Sequence, residues 1–177
     1  MVNKTAKTAS LKTAKKTLIV FYSLEGSTKL MAQTIAKELD ADLLECRPVK
    51  EAHPTGFMKY MWGGRQMMFN KEPKLVPFEK DPQHYDNIII GTPVWAYTYA
   101  PVIRSFLAKT ELKNKKVAIY CCHEGGPGKT LDNFKEKLSN NNTIIGEMGF
   151  LNVSKNKELN IIKAIEWSNL IKKEMKG

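Results

Sequence analysis

Apolar residues recur along this chain in two rhythms. Leu18, Ile19, Val20, Phe21 and Tyr22 form an unbroken run rich in β-forming residues, as in a strand covered on both faces. Runs of the same kind fall at residues 42–46, 87–91, 116–121 and 143–153. Between them the apolar positions move to a spacing of three and four, which predicts helices. Met31, Ile35 and Leu39 mark a helix over 29–40, and Val102, Ile103, Phe106 and Leu107 mark one over 101–109. Leu131, Phe134 and Leu138 mark 129–138; Ile161, Ile162, Ile165 and Ile171 mark 158–175. Residues 48–80 are less regular, and a helical pattern over 57–69 is interrupted by Gly63 and Gly64.

Strand and helix alternate five times. This predicts an α/β fold with a doubly wound, five-stranded parallel sheet in the order 2-1-3-4-5, because right-handed crossovers leave few other topologies. In such sheets ligands bind beyond the carboxyl ends of the strands, near the point where the winding reverses. The loops after the first, third and fourth strands therefore hold the candidate chemistry.

Composition narrows the class. A length of 177 residues suits one domain, and 42% hydrophobic with 26% charged residues is ordinary globular content. The longest uncharged apolar stretch, 87–100, is broken by Pro93 and polar residues, whereas a bilayer span needs about 20 apolar residues. No short apolar segment follows a charged start, so no secretory signal is expected. Cys46, Cys121 and Cys122 are odd in number and two are adjacent, which fits free thiols and a cytoplasmic location.

The net charge of +10 is uneven. Lys4, Lys7, Lys12, Lys15 and Lys16 lie in residues 1–16 with no acidic residue, so half of the surplus sits there. With little apolar content, residues 1–16 read as a basic flexible tail and residues 17–177 as the domain. The tail is either a solvated terminus or an electrostatic grip on an acidic partner. No aromatic residue interleaves its lysines for base stacking, so no specific nucleic-acid partner is expected.

Three loops carry the candidate site. Ser23-Leu-Glu-Gly-Ser-Thr28 follows the first strand and opens a helix. Free backbone N–H groups and the helix dipole favour an anion there, Ser23, Ser27 and Thr28 add hydroxyls, and Gly26 lets the backbone approach. The plainer alternative is an ordinary capped helix start. Thr92-Pro-Val-Trp-Ala-Tyr-Thr-Tyr-Ala100 follows the third strand and places Trp95, Tyr97 and Tyr99 together, either to stack on a flat ligand, with Trp95 the leading candidate, or to pack on the next helix. Cys122-His-Glu-Gly-Gly-Pro-Gly128 follows the fourth strand, and its glycines permit close backbone approach. Gly128-Lys129-Thr130 is not the end of a nucleotide P-loop, because His123 stands where the first glycine is required. Consecutive Cys121, Cys122 and His123 lack the spacing to wrap a tetrahedral metal, and Cys122 has no identifiable base to make it a nucleophile.

Taken together, Ser23-Leu-Glu-Gly-Ser-Thr28, Gly91-Thr-Pro-Val-Trp95 and Gly125-Gly-Pro-Gly128 resemble the flavodoxin family over residues 17–153. The resemblance implies a non-covalently bound FMN. It implies that Ser23, Glu25, Gly26, Ser27 and Thr28 wrap the phosphate, and that Thr92, Pro93, Val94, Trp95 and Tyr97 line the isoalloxazine. Cys122, His123, Gly125 and Gly126 would close over the pyrimidine end. Phosphorylated receiver domains share this fold, but they need acidic residues after the first and third strands, where this chain has Ser23 and Thr92. Two features depart from the family's electron carriers. Those are strongly acidic, whereas this chain has a pI near 9.4, and Gly56 to Arg65 matches no known partner surface.

A bound flavin would carry the chemistry, so no catalytic side chain and no metal are expected. The implied function is an electron carrier serving a redox partner protein or a small-molecule acceptor. The alternatives are an NAD(P)H-dependent reductase of quinones or similar flat acceptors, and a non-catalytic module docked by its tail. The sequence leaves monomer and dimer equally open.

Overall fold

A computed structural model describes residues 16–50 and 72–177. The expected tail, the 57–69 helix and the segment from Gly56 to Arg65 lie outside the described residues, apart from Lys16. Among the described residues six strands form: β1 Thr17–Phe21, β2 Asp42–Glu45, β3 Asn87–Trp95, β4 Thr98–Tyr99, β5 Lys116–His123 and β6 Thr143–Leu151. The helices described are α1 Ser27–Leu39, α2 Pro101–Lys109, α3 Thr130–Leu138 and α4 Lys157–Lys176, with a 3-10 turn at Pro82–His84. The parallel strands run β2-β1-β3-β5-β6, and the short β4 pairs antiparallel with the end of β3. The expected α/β fold and winding are present. The short β4 is additional, because the chain after β3 turns straight back on itself.

Every residue of β1 is buried, as its unbroken apolar run implies. Successive side chains point to opposite faces, so the strand feeds two cores at once. Leu18 and Val20 join Ile88, Ile90, Val117 and Ile119 beneath α2 and α3, against Ile103, Phe106, Phe134 and Leu138. Ile19 and Phe21 join Ile89, Ala118 and Tyr120 beneath α1 and α4, against Met31, Ile35, Trp167 and Ile171.

The inward face of α4 differs from the expected isoleucine stripe. Ile171 is buried, but Ile162 is 54% exposed and Ile161 and Ile165 are only half-buried. The buried face is Asn160, Ala164, Trp167, Ser168, Ile171 and Met175. Both polar residues donate hydrogen bonds locally, although the buried Asn160 Oδ1 accepts none. The Ser168 hydroxyl donates to the Ala164 carbonyl at 2.7 Å, and the Asn160 amide donates to the carbonyls of Leu151 and Asn156. Small or internally bonded side chains can thus face a sheet, while a reading of hydrophobicity alone selects the wrong stripe.

Candidate functional site

The site begins where β1 ends. Gly26 sits at φ 90°, a left-handed conformation that costs a residue with a Cβ about 1–2 kcal/mol, and it caps α1. Its N–H donates to the Ser23 hydroxyl at 3.1 Å, drawing the loop into a tight turn. No side chain caps the helix, and its first turn carries no acidic residue. The amides of Ser27, Thr28 and Lys29 therefore start α1 without intrahelical partners, at the positive end of the dipole.

Lys29, the cation nearest this turn in sequence, is held elsewhere. Its ammonium lies 3.2 Å from Glu45, which also receives Arg47 at 2.8 Å. Burial pushes the Glu45 carboxyl up, but the hydrogen bonds from Arg47 and Lys29 outweigh it and hold the group below its usual range. Anion binding at this turn would thus fall to backbone amides and serine hydroxyls.

Among the expected phosphate residues, Glu25 and Gly26 are exposed and Ser23 and Ser27 half-buried. Thr28 is buried, with its hydroxyl against the Cys122 thiol, so it offers the loop its amide and not its side chain.

The second loop is a hairpin. β3 runs on past Gly91 through Thr92, Pro93 and Val94 to Trp95, and the first two of these extra residues still pair with Cys121 and Cys122. Ala96 and Tyr97 then turn the chain, at φ 45° and 65°. Positive φ at both central residues is the mark of a primed hairpin turn, normally built from Asn and Gly. This turn is strained by comparison, and its neighbours hold it. The Thr92 hydroxyl accepts the Ala100 N–H at 3.0 Å, closing the base of the hairpin. Lys129 N–H donates to the Tyr97 carbonyl at 2.8 Å, and the Asn133 amide donates to the Thr98 hydroxyl at 2.7 Å. Tyr99 stacks on Phe134 with ring centroids 4.6 Å apart. Gly128 allows this contact, since a Cβ there would lie 2.8 Å from the Tyr97 backbone.

The two aromatic candidates separate. Trp95 is half-buried, packs on the core and meets Tyr22 edge-on at 6.0 Å. Tyr97, at the hairpin tip, is 78% exposed and is the ring the fold presents to solvent.

Cys122 and His123 belong to the end of β5, not to a loop as expected, because the strand continues alongside β6. Burial pushes the thiols of Cys46, Cys121 and Cys122 up to about 12, so all three are protonated and unreactive near neutral pH. Burial lowers the His123 pKa, so its imidazole is neutral, and its Nδ1 is buried without a protein partner. Gly125 and Gly126 have open space where a side chain would stand, leaving their backbone approachable.

The structure thus brings residues 23–28, 92–98 and 123–129 to one end of the sheet, as expected. A cavity of about 370 Å³ lined by Phe78, Lys80, Asp81, Gln83, Lys109 and Glu111 lies at the opposite end, before β3 and β5 begin. Among the described residues no group of three or more His, Cys, Asp or Glu is placed to hold a metal, and no helix is long and apolar enough to cross a membrane. The sequence reading missed the supports of the site: Tyr22 behind Trp95, Asn133 and Phe134 beneath the hairpin, and Tyr120 beneath the first loop. Their pairings are distant in sequence, and no local pattern signals them.

The sequence model of a family described as Flavodoxin matches residues 16–167. A flavoprotein from Lactobacillus acidophilus NCFM, solved in complex with FMN, is 30% identical with a TM-score of 0.65, over 83% of this chain and 99% of that one. The apo-form of the flavoprotein from Lactobacillus acidophilus NCFM, solved by NMR, is 28% identical with a TM-score of 0.61, over 80% and 96% of the two chains. A flavodoxin, WrbA-like protein from Agrobacterium tumefaciens shares the fold at 16% identity and a TM-score of 0.58, over 90% and 99%. No curated protein matches the chain.

Proposed function

The chain belongs to the flavodoxin family, and from that premise we propose that it binds FMN without a covalent bond and carries electrons between redox partners. The observation that carries the cofactor reading is the uncapped start of α1 behind Gly26, with unpartnered amides and no acidic residue in its first turn. A phosphate monoester suits that turn, and the similar flavoprotein from Lactobacillus acidophilus NCFM was solved in complex with FMN. When bound, FMN supplies one- and two-electron redox chemistry.

The chain's own residues bind and orient. The amides of Ser27, Thr28 and Lys29, helped by the Ser23 and Ser27 hydroxyls, would hold the phosphate. Thr92, Pro93, Val94, Trp95 and Tyr97 on the hairpin would flank the ring system, with Tyr97 positioned to stack and Trp95 braced from behind by Tyr22. Cys122, His123, Gly125 and Gly126 would border the polar end of the ring, where the backbone of Gly125 and Gly126 is open to approach.

Carrying electrons needs no base or nucleophile, and the buried, protonated thiols supply no nucleophile. The redox partner would be a protein with an acidic face, steered by the surplus positive charge of the chain, or a small-molecule acceptor. One observation favours a second reading. Tyr97 points out to solvent, which leaves room for a nicotinamide or quinone, as an NAD(P)H-dependent reductase requires.

The two readings part in one assay. FMN-loaded protein is mixed with NADH or NADPH, with and without a quinone. A carrier oxidises neither nucleotide appreciably unless a reductase is added. Rapid oxidation of one nucleotide, accelerated by quinone, would make the protein a reductase.

A further inference from the structure

Tyr120 is a large polar side chain fully buried in the middle of β5. Its hydroxyl donates to the backbone carbonyl of Thr28, in the first turn of α1, at 3.0 Å. The two residues are 92 positions apart in sequence. To reach α1 the ring must cross β3, and it does so over Gly91, its register partner. A Cβ on Gly91 would lie 2.1 to 2.4 Å from the ring and hydroxyl of Tyr120, so no other residue fits there without displacing the phenol. Phe150 and Trp167 pack edge-on against the ring at 5.8 and 6.2 Å and fix its direction. The neighbouring contact of the Thr28 hydroxyl with the Cys122 thiol ties the same turn to β5 at a second point. Burial keeps the phenol protonated, so it remains a donor.

The bonded carbonyl has a consequence on the other side of its peptide. A trans peptide is planar, so the Thr28 carbonyl and the Lys29 N–H point in opposite directions. Holding the oxygen from inside the protein aims the N–H outward, along the helix axis toward the site. The Thr28 carbonyl also lies within the hydrogen-bond ladder of α1, so the phenol is a second hold on a peptide plane that the helix alone leaves free to fray in its first turn.

We propose that Tyr120 is a positioning residue for cofactor phosphate: through the Thr28 carbonyl it holds the Lys29 amide firmly in the direction the helix gives it, and Gly91 makes room for the phenol. The inference rests on the FMN reading and extends it to a residue that would never touch the cofactor. It also makes a specific claim about selectivity, because riboflavin has the same ring system but no phosphate.

The test is Tyr120→Phe, which removes only the hydroxyl and keeps the ring packed on Phe150 and Trp167. Dissociation constants for FMN and for riboflavin are measured on wild type and variant. The FMN constant rises about three- to tenfold, the effect of one hydrogen bond, while the riboflavin constant changes less than twofold. An equal loss for both ligands, an unchanged FMN constant, or a variant that does not fold assigns the hydroxyl to general stability and overturns the proposal. If wild type itself shows no preference for FMN over riboflavin, the cofactor reading fails first, and this one with it. If wild type shows the preference and the variant keeps it undiminished, only the role of Tyr120 is lost.

Discussion

Gly26→Val is expected to weaken FMN binding by more than a hundredfold. Gly26 holds φ 90° at the cap of α1, a conformation a β-branched residue adopts only under strain. Relief of that strain rotates the turn and takes the Ser27 and Thr28 amides away from the phosphate. Losing two hydrogen bonds to a charged group costs about 3 kcal/mol or more, which sets the factor. The added side chain has open space in the protein alone, so the apo-protein loses only the backbone strain, about 1–2 kcal/mol. Fluorescence titration with FMN and thermal melts of the apo-protein separate the two effects. An FMN affinity within threefold of wild type would remove the phosphate from this loop.

Phe134→Ala is expected to be the most damaging single truncation near the site. Phe134 is fully buried on α3, within the core beneath α2 and α3, and it carries the stacked ring of Tyr99. Emptying such a site costs about 3–5 kcal/mol, the transfer loss plus the cavity. For a chain of this size the melting temperature should fall by roughly 6–20 °C. The variant also withdraws the support under β4, so the strained Ala96-Tyr97 turn should relax. Tyr97 fluorescence or amide exchange across residues 95–99 would report this. A melting temperature within 2 °C of wild type would mean that α3 does not pack on the hairpin.

Much of this architecture was legible because its signals are local. The run from Leu18 to Phe21 could only be a strand buried on both faces. The spacing of Met31 and Ile35, and of Phe106 and Leu107, placed α1 and α2 with the correct side inward. The site loops followed from the winding of the sheet. What escaped reading depended on contacts between distant residues. The end of β3 was hidden because Thr92 and Pro93 look like a loop, and because the Ala96-Tyr97 turn lacks the Asn-Gly pair that usually announces a hairpin. The inward face of α4 escapes a reading of hydrophobicity because the Ser168 hydroxyl and the Asn160 amide N–H groups find carbonyl partners within the fold. Gly91 and Tyr120 gave no local sign of belonging together. A glycine in the middle of β3 explains itself only once the phenol lying over it is seen.

The central claim is that the turn at Gly26 holds a phosphate and the chain therefore selects FMN. Titration of the apo-protein with FMN, riboflavin and FAD, followed by flavin fluorescence, tests this most directly. The account predicts one FMN bound per chain with quenched fluorescence, at least tenfold more tightly than riboflavin or FAD. Riboflavin or FAD binding as tightly as FMN would contradict it.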